Sequence, residues 1–180
     1  MTIIGLLGKM GSGKTTVANI LINNHCFVEY AFAKPIKDIG LIFGFSQEQL
    51  YGTQPQKLEI HPYWGISGRL FMQKIGDIFR NNLKETIPEM KMQYTPFLEI
   101  FKLNFKENCN YVISDVRFKD EAEFIKSLGG ILIKIERNDL LQTEHSSHIS
   151  ETEMESIIFD NKIENNSTIE KLEEEINLYI

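Results

Sequence analysis

Cysteine is scarce in this sequence, and long apolar runs are missing. Cys26 and Cys109 are the only two cysteines among 180 residues, and their wide separation predicts reduced, mostly buried thiols rather than a disulfide framework. The apolar run at 3–7 is far too short to span a membrane, and it lacks the basic flank and cleavage site of a signal peptide. We therefore expect a cytoplasmic protein without membrane contact.

Basic residues are too few to suggest a nucleic-acid-binding protein. The formal net charge is −6, and acidic residues crowd the last thirty positions, which argues against binding to long polyanions. A composition of 42% hydrophobic and 24% charged residues is typical of a globular protein, and 180 residues suit a single domain, 1–180. We expect small-molecule partners, with a monomer and a homodimer both left open.

Apolar runs alternate with amphipathic segments along the chain. We predict strands at 2–7, 27–32, 111–114, 131–135 and 159–163. Helices are predicted from Lys14 to 25, from Pro35 onwards, over 121–128, and over 168–178 with Ser167 as the N-cap. The alternation predicts an α/β protein with a parallel sheet covered on both faces. Residues 34–108 exceed what a crossover needs, so we expect them to form a substrate-binding arm.

The most specific motif follows the first predicted strand. Residues 8–15, GKMGSGKT, match G-x-x-x-x-G-K-[ST] in full, between that strand and a predicted helix. Glycines let the backbone wrap around phosphate oxygens, so amide N–H groups and the helix N-terminus can converge on a β-phosphate. Lys14 would neutralise β and γ oxygens, and the Thr15 hydroxyl would help to hold Mg²⁺. The motif predicts a nucleotide-binding loop.

Two other classes lack the residues that they need. A GTPase needs D-x-x-G, but no Asp in this sequence has Gly three residues later, and NKIE at 161–164 only approximates N-K-x-D. His145 and His148 form an H-x-x-H pair, but no Cys or further ligand stands at zinc spacing. We expect neither a GTPase nor a zinc protein.

Arginine is rare, and each arginine stands where a phosphate site could recruit it. The four arginines, against fifteen lysines, are Arg69, Arg80, Arg117 and Arg137. Their rigid guanidinium fork grips phosphate oxygens in a way that lysine cannot reproduce. At about 100° per residue, one stripe of a helix over 65–82 collects Arg69, Gln73, Gly76 and Arg80, opposite Phe71, Ile75, Ile78 and Phe79. Two interpretations fit this pattern. In the first, the stripe faces a ligand, with a gap at Gly76 and with Gln73 reading a base. In the second, the stripe is an ordinary solvated face.

Asp115 and Arg117 follow the predicted strand at 111–114. They would therefore lie at the carboxyl end of a central strand, where ligands of open α/β sheets bind. Asp115 could hold a water on Mg²⁺ or orient Arg117, and Arg117 could clamp a phosphate. A plain ion pair at the strand end also fits.

Three further basic residues stand at the ends of predicted strands. Arg137 follows the strand at 131–135, before a polar stretch to 150 that is typical of a lid, and it could stack on adenine or reach the phosphates. Lys34 and Lys37 could attract an anionic substrate or be ordinary exposed lysines. Lysine rather than aspartate at position 34 favours an acceptor that is already ionised, such as a monophosphate, over a hydroxyl that needs a base.

Taken together, these motifs resemble the deoxynucleoside monophosphate kinases of phages and large DNA viruses. The resemblance rests on GKMGSGKTT at 8–16, AFAKPIK at 31–37, GISGR at 65–69, QKIG at 73–76 with Arg80, and ISDVRF at 113–118. Weaker likeness extends to 147–151 and 163–167. The resemblance implies a P-loop NTPase fold of three α/β/α layers with a five-stranded parallel sheet, a helical arm at about 34–108 and a small lid at about 137–150.

The motif and the resemblance together assign roles to individual residues. ATP would be bound by Gly11, Ser12, Gly13, Lys14, Thr15, Thr16 and Arg137. The acceptor would be bound by Lys9, Lys37, Arg69, Gln73, Arg80 and Arg117. The catalytic set would be Lys14, Arg69, Arg117 and Asp115, with Thr15 as the metal ligand. Gly11 and Thr15 stand where phage members often carry Arg and Asp, and Lys34 where an acidic residue is more usual.

The expected activity is ATP-dependent, magnesium-dependent phosphorylation of deoxynucleoside monophosphates to diphosphates. This activity would serve DNA precursor synthesis, in the host cytoplasm if the protein is viral. Two alternatives remain: a related small-molecule kinase of the phosphomevalonate-kinase or dephospho-coenzyme-A-kinase type, and a nucleotide-binding module without catalysis.

Overall fold

A five-stranded parallel sheet forms the centre of the first of two compact units. The computed structural model describes residues 1–138 and 153–180, with the first unit comprising Met1–Ala31 and Lys106–Ile180, and the second Phe32–Phe105. The strands are β1 (Ile3–Leu7), β2 (Phe27–Tyr30), β3 (Asn110–Ile113), β4 (Ile131–Glu136) and β5 (Asn161–Glu164). They lie in the order β2-β3-β1-β4-β5, and every neighbouring pair is parallel. Strand order reverses beside β1, so its carboxyl end is a ligand-binding position in such sheets.

The helices divide between the two units. The first unit contains α1 (Lys14–His25), and the second contains α2 (Lys34–Ile42), α3 (Gln47–Tyr51), α4 (Gln54–Leu58), α5 (Gly68–Asp77), α6 (Leu83–Thr86) and α7 (Pro96–Asn104). The first unit resumes with α8 (Lys119–Ser127) and α9 (Ile169–Ile176), and a 3₁₀ turn at Asn177–Tyr179 follows.

Within 1–138 and 153–180, no helix is long and apolar enough to cross a membrane.

Successive side chains of β1 point to opposite faces of the sheet. Ile4 is fully buried in one apolar cluster with Leu21 of α1 and Leu172 of α9. Gly5 faces the other way, since a Cβ there would lie 2.8 Å from Ile125 of α8. Because strand side chains alternate between faces, α1 and α9 cover one face and α8 the other. The predicted three-layer α/β/α architecture is thereby confirmed.

The predicted strands and helices of the first unit are present, with ends that shift by two residues at most. The N-cap of the last helix is the exception, because the hydroxyl of Thr168, not Ser167, accepts the Lys171 N–H at 3.4 Å. The cysteines are unpaired, as predicted, but Cys26 is exposed. It lies just past the last turn of α1 with a φ of 55°, beyond the buried face of that helix.

The second unit is helical and has its own small core. Phe45, Leu50 and Phe71 form its buried cluster, with the rings of Phe45 and Phe71 4.7 Å apart. Residues 44–64, which show little periodicity, contain α3 and α4, each with a capping box. A helix of five residues is too short to show hydrophobic periodicity in the sequence. The N-cap residues Ser46 and Thr53 are the sequence signals for these two helices.

Candidate active site

The loop between β1 and α1 has the backbone that its glycines require. Gly8, Gly11 and Gly13 have φ values of 144°, 81° and 106°, a region that side chains rarely adopt. A Cβ on Gly8 would lie 2.3 Å from the Ile135 carbonyl oxygen, and one on Gly13 would lie 2.1 Å from the Asn165 amide nitrogen. Both conformation and space therefore select glycine.

The Lys14 ammonium folds back over this loop. It donates to the carbonyl of Gly8 at 2.6 Å and to that of Lys9 at 2.9 Å. Lys14 is also the first residue of α1, so its charge adds to the partial positive charge of the helix N-terminus. This combination is suited to phosphate oxygens.

The remaining loop residues differ in what they can offer a nucleotide. Gly11 and Thr15 are exposed, whereas Gly13 and Thr16 are partly buried. Ser12 is fully buried, and its hydroxyl has no hydrogen-bond partner among the described residues. Its backbone N–H donates to the Lys9 carbonyl at 3.1 Å. Contact between Ser12 and ATP would therefore involve its peptide groups.

Asp115 lies at the same edge of the sheet as the loop. Gly5 of β1 pairs with Ile113 of β3, so Asp115 is level with the end of β1. Tyr30, the last residue of β2, accepts the Ser114 N–H through its carbonyl at 3.2 Å. Burial and the nearby charge of Asp115 raise the pKa of Tyr30 to about 12. The Tyr30 phenol therefore lies within the electrostatic reach of the Asp115 carboxylate.

Arg117 follows Asp115 and is held through its backbone. A carboxylate oxygen of Glu121 accepts the Arg117 N–H at 2.9 Å and the Phe118 N–H at 3.2 Å. Glu121 is buried, with 2% of its surface exposed. It thereby ties the start of α8 to the segment that carries Arg117. The sequence signal for Glu121 was an acidic residue in the first turn of a helix.

The residues at this edge fit a magnesium ion that accompanies a nucleotide. No group of three or more His, Cys, Asp or Glu side chains within the described ranges could hold a metal by itself. Magnesium needs few protein ligands when it is bound with phosphates, because it keeps several waters and uses one or two protein oxygens. The exposed second residue of α1, Thr15, and the carboxylate of Asp115 provide such oxygens.

The second unit carries the predicted substrate helix. Arg69 is the second residue of α5, and its guanidinium donates to the Gln54 side-chain oxygen of α4 at 2.8 Å. The Ser67 hydroxyl caps the helix by accepting the Leu70 N–H at 3.2 Å. A Cβ on Gly68 would lie 2.2 Å from the Gln49 carbonyl oxygen, so only glycine allows α5 to approach α3 this closely. The GISGR segment is thus explained by packing and capping around Arg69.

The predicted stripe is interrupted after Asp77. Residues Ile78–Asn82 form a π-helical turn, in which the angular step per residue is smaller than in an α-helix. The Arg80 guanidinium lies 5.5 Å from the centre of the Phe97 ring. Ile78, predicted on the apolar face, is instead 47% exposed.

Two other predictions for this helix have different outcomes. A Cβ on Gly76 would meet Ile36 of α2 at 3.3 Å, so the predicted ligand gap is wrong and the glycine marks close helix packing. Gln73 is partly buried, and its base-reading role stays a prediction.

The predicted lysines have local partners. The Lys34 ammonium binds Asp38 at 2.6 Å, and this hydrogen bond raises the pKa of Lys34. Lys37 lies over the Tyr51 ring, with its ammonium 4.4 Å from the ring centre. Lys9 pairs with Glu155 at 3.2 Å, and both side chains are largely exposed.

The first unit thus brings the loop residues Lys9 and Gly11–Thr16 to one sheet edge with Asp115 and Arg117. Arg137 directly follows β4 and is exposed at that edge. The second unit carries Lys37, Arg69, Gln73 and Arg80. Most of the predicted lid at 137–150, including His145 and His148, lies outside the described residues.

Solved structures share the fold. Shikimate kinase from Aquifex aeolicus aligns with a TM-score of 0.51 at 18% identity, over 99% of this chain and 95% of that one. The protein TT1252 from Thermus thermophilus aligns with a TM-score of 0.50 at 16% identity, over 98% and 95%. Together with the strand order and the glycine loop, these alignments define a P-loop NTPase fold of the three-layer α/β/α class.

The sequence comparisons narrow this class to a family. The model of the deoxynucleotide monophosphate kinase family matches residues 47–176, well over half of the chain. A protein of Acanthamoeba polyphaga mimivirus, named as a candidate deoxynucleotide monophosphate kinase, is 40% identical over 98% of this chain and 94% of its own length. The chain belongs to the deoxynucleotide monophosphate kinase family. It is therefore a phosphotransferase that acts on nucleotides.

Proposed function

We propose that this protein transfers the γ-phosphoryl group of ATP to a deoxynucleoside monophosphate. The bond between the γ-phosphorus and the β–γ bridging oxygen breaks, a bond to an oxygen of the acceptor phosphate forms, and ADP leaves. The observation that carries the proposal is the Lys14 ammonium, held over a glycine loop at the carboxyl end of β1, in a chain of this family. The acceptor needs no strong base, because a monophosphate is largely ionised at neutral pH, with a second pKa of about 6.

The first unit would supply the ATP side of the reaction. Peptide N–H groups of Gly11–Thr16 and the Lys14 ammonium would bind the β and γ oxygens. Thr15 and Asp115 would hold magnesium, which neutralises charge on the phosphates when it is bound. Arg137 would contact the adenine or the phosphates. These residues support a donor site formed mainly by backbone and positive charge.

The second unit would supply the acceptor side. Arg69 and Arg80 would bind the acceptor phosphate, and Gln73 would contact its base, with Lys37 adding positive charge. Two contacts support this assignment: Arg69 is oriented by Gln54, and Arg80 by the Phe97 ring. Fixed guanidinium groups bind an oxyanion with less loss of side-chain entropy. For Lys9 and Arg117 of the first unit we also propose a role in acceptor binding, and Arg117 would stabilise charge during transfer.

The proposal extends to the cellular setting. The substrates are small nucleotides, with neither long nucleic acids nor membranes as partners, and we place the reaction in the cytoplasm, that of the host if the protein is viral. The predicted arm at 34–108 and lid at 137–150 would serve acceptor binding and ATP retention. The protein would act as a monomer or a homodimer.

The deciding experiment is an ADP-release assay with an acceptor panel. Magnesium and ATP are supplied with each of the four deoxynucleoside monophosphates, the ribonucleoside monophosphates, or no acceptor. We expect turnover that depends on a deoxynucleoside monophosphate. Equal ADP release without an acceptor would refute the proposal. Nucleotide binding with no turnover would indicate a non-catalytic module, and turnover only on phosphomevalonate or dephospho-coenzyme A would indicate another small-molecule kinase.

A further inference from the structure

The side chain of Asn165 connects the end of β5 to the glycine loop. Its amide nitrogen donates to the Ser12 carbonyl at 2.9 Å, across 153 positions of sequence. Its own backbone N–H donates to the Glu136 carbonyl at 2.8 Å, so the residue is anchored to the end of β4. Asn165 therefore connects the loop to β4 and β5, the two strands that lie on the opposite side of β1 from β2 and β3.

The Ser12 carbonyl oxygen, which accepts the hydrogen bond from Asn165, belongs to the peptide group that leads into α1. The Ser12 carbonyl and the Gly13 N–H are parts of one peptide unit, and no peptide among the described residues is cis. In a trans peptide the carbonyl and the N–H point in opposite directions. The bond from Asn165 therefore fixes the Gly13 N–H to point away from Asn165.

This peptide would otherwise rotate easily. It turns about ψ of Ser12 and φ of Gly13, and the φ of 106° at Gly13 lies where glycine has little steric barrier to other backbone conformations. Gly13 is the N-cap of α1, and no side chain within the described residues caps this helix. The Asn165 amide also lies tightly against the loop, since a Cβ on Gly13 would come within 2.1 Å of it. A side chain from outside the loop thus determines the orientation of this peptide.

We propose that Asn165 is a positioning residue for the donor site, which directs the Gly13 N–H to the β-phosphate by holding the Ser12 carbonyl on the opposite side. The inference rests on the proposed binding of a nucleotide at the glycine loop. It adds a determinant of phosphate affinity at the end of the last strand. A buried carbonyl needs a donor, and the amide of Asn165 provides it.

The test compares three variants by calorimetric titration with ADP and with tripolyphosphate, which has no base or ribose. Asn165→Ala removes the donor and should weaken both ligands about tenfold, as expected for one hydrogen bond and the order that it imposes. Asn165→Asp keeps the size of the side chain, but its carboxylate cannot donate and repels phosphate, so the loss should be larger, on the order of a hundredfold.

Asn24→Ala is the matched control. Asn24 makes one side-chain bond between helices, from its amide to Glu173 at 2.6 Å, away from the loop. This variant should bind both ligands as the wild type does. Wild-type affinities in the Asn165 variants would overturn the inference, and so would weaker ADP binding with unchanged tripolyphosphate binding, which indicates a contact with the base. Neither titration uses an acceptor, so a negative acceptor panel would leave this result intact.

Discussion

Burial of the Tyr30 ring and the charge of Asp115 together raise the pKa of Tyr30 to about 12. This relationship joins the ends of two neighbouring strands, since Tyr30 of β2 pairs with Ile113 of β3, two residues before Asp115. The Asp115 charge therefore lies close enough to the Tyr30 phenol, at the carboxyl edge of the sheet, to disfavour the phenolate.

The first prediction concerns the titration of Tyr30. The phenolate absorbance of the wild type minus that of Tyr30→Phe should show one tyrosine that ionises near pH 12. Since the unfolded tyrosine ionises near 10, the unfolded state loses its proton first, and the stability that Tyr30 contributes is present below pH 10 and lost as pH rises towards 12. The Tyr30→Phe variant should lack this loss. Asp115→Asn should lower the Tyr30 pKa only partly, because burial is the larger cause. A Tyr30 that titrates near 10 in the folded protein would contradict the contact.

The second prediction concerns Lys14. Lys14→Ala should reduce the turnover number by about 10²–10³-fold, because a positive charge that stabilises the transferred phosphoryl group is lost. The measurement is ADP release at saturating acceptor. The exposed Lys171 of α9 provides the control, as Lys171→Ala changes the net charge equally and should leave turnover unchanged. Equal turnover numbers for Lys14→Ala and Lys171→Ala would show that Lys14 does not act in the donor site.

The third prediction concerns Arg69. Arg69→Ala should raise the KM for the deoxynucleoside monophosphate more than tenfold and change the affinity for ATP little, because a charged hydrogen bond is worth about 1.5–3 kcal/mol. Lys74→Ala removes an exposed positive charge from the same helix and serves as the control. Separate titrations of ATP and acceptor distinguish the two effects. Weaker ATP binding with normal acceptor use would reverse the assignment of α5.

Much of the first unit was predictable because its signals are local. The apolar run of β1, the glycines after it and the helix from Lys14 each have one physical interpretation, and their combination determines the fold. Asn165 and Glu121 were not predictable as site residues. Their roles depend on contacts with Ser12 and the Arg117 backbone, and an amide or a carboxylate in the sequence does not reveal its partner. The π-helical turn that contains Arg80 was not predicted either, because a helical wheel assumes the same angular step at every residue.

The fourth prediction concerns the buried carboxylate of Glu121. Glu121→Ala leaves the Arg117 and Phe118 N–H groups without this acceptor, so the free energy of unfolding should fall by about 1–3 kcal/mol. Glu121→Gln retains an acceptor oxygen and should cost less. Glu123→Ala, at an exposed position of the same helix, is the control and should change stability by less than about 0.5 kcal/mol. Urea unfolding measures all three, and equal midpoints for the two alanine variants would exclude the proposed tie.

The last prediction separates two glycines of α5. Gly68→Ala places a Cβ 2.2 Å from the backbone oxygen of Gln49, which cannot move aside without displacing α3, so stability should fall by about 1–3 kcal/mol or more. Gly76→Ala meets only the flexible end of Ile36 at 3.3 Å, and alanine favours the helix by about 1 kcal/mol, so this variant should be nearly neutral. Urea unfolding followed by fluorescence of the single Trp64 reports on the unit that contains both positions. If the two variants unfold at the same urea concentration, the close contact of α5 with α3 is not what requires Gly68.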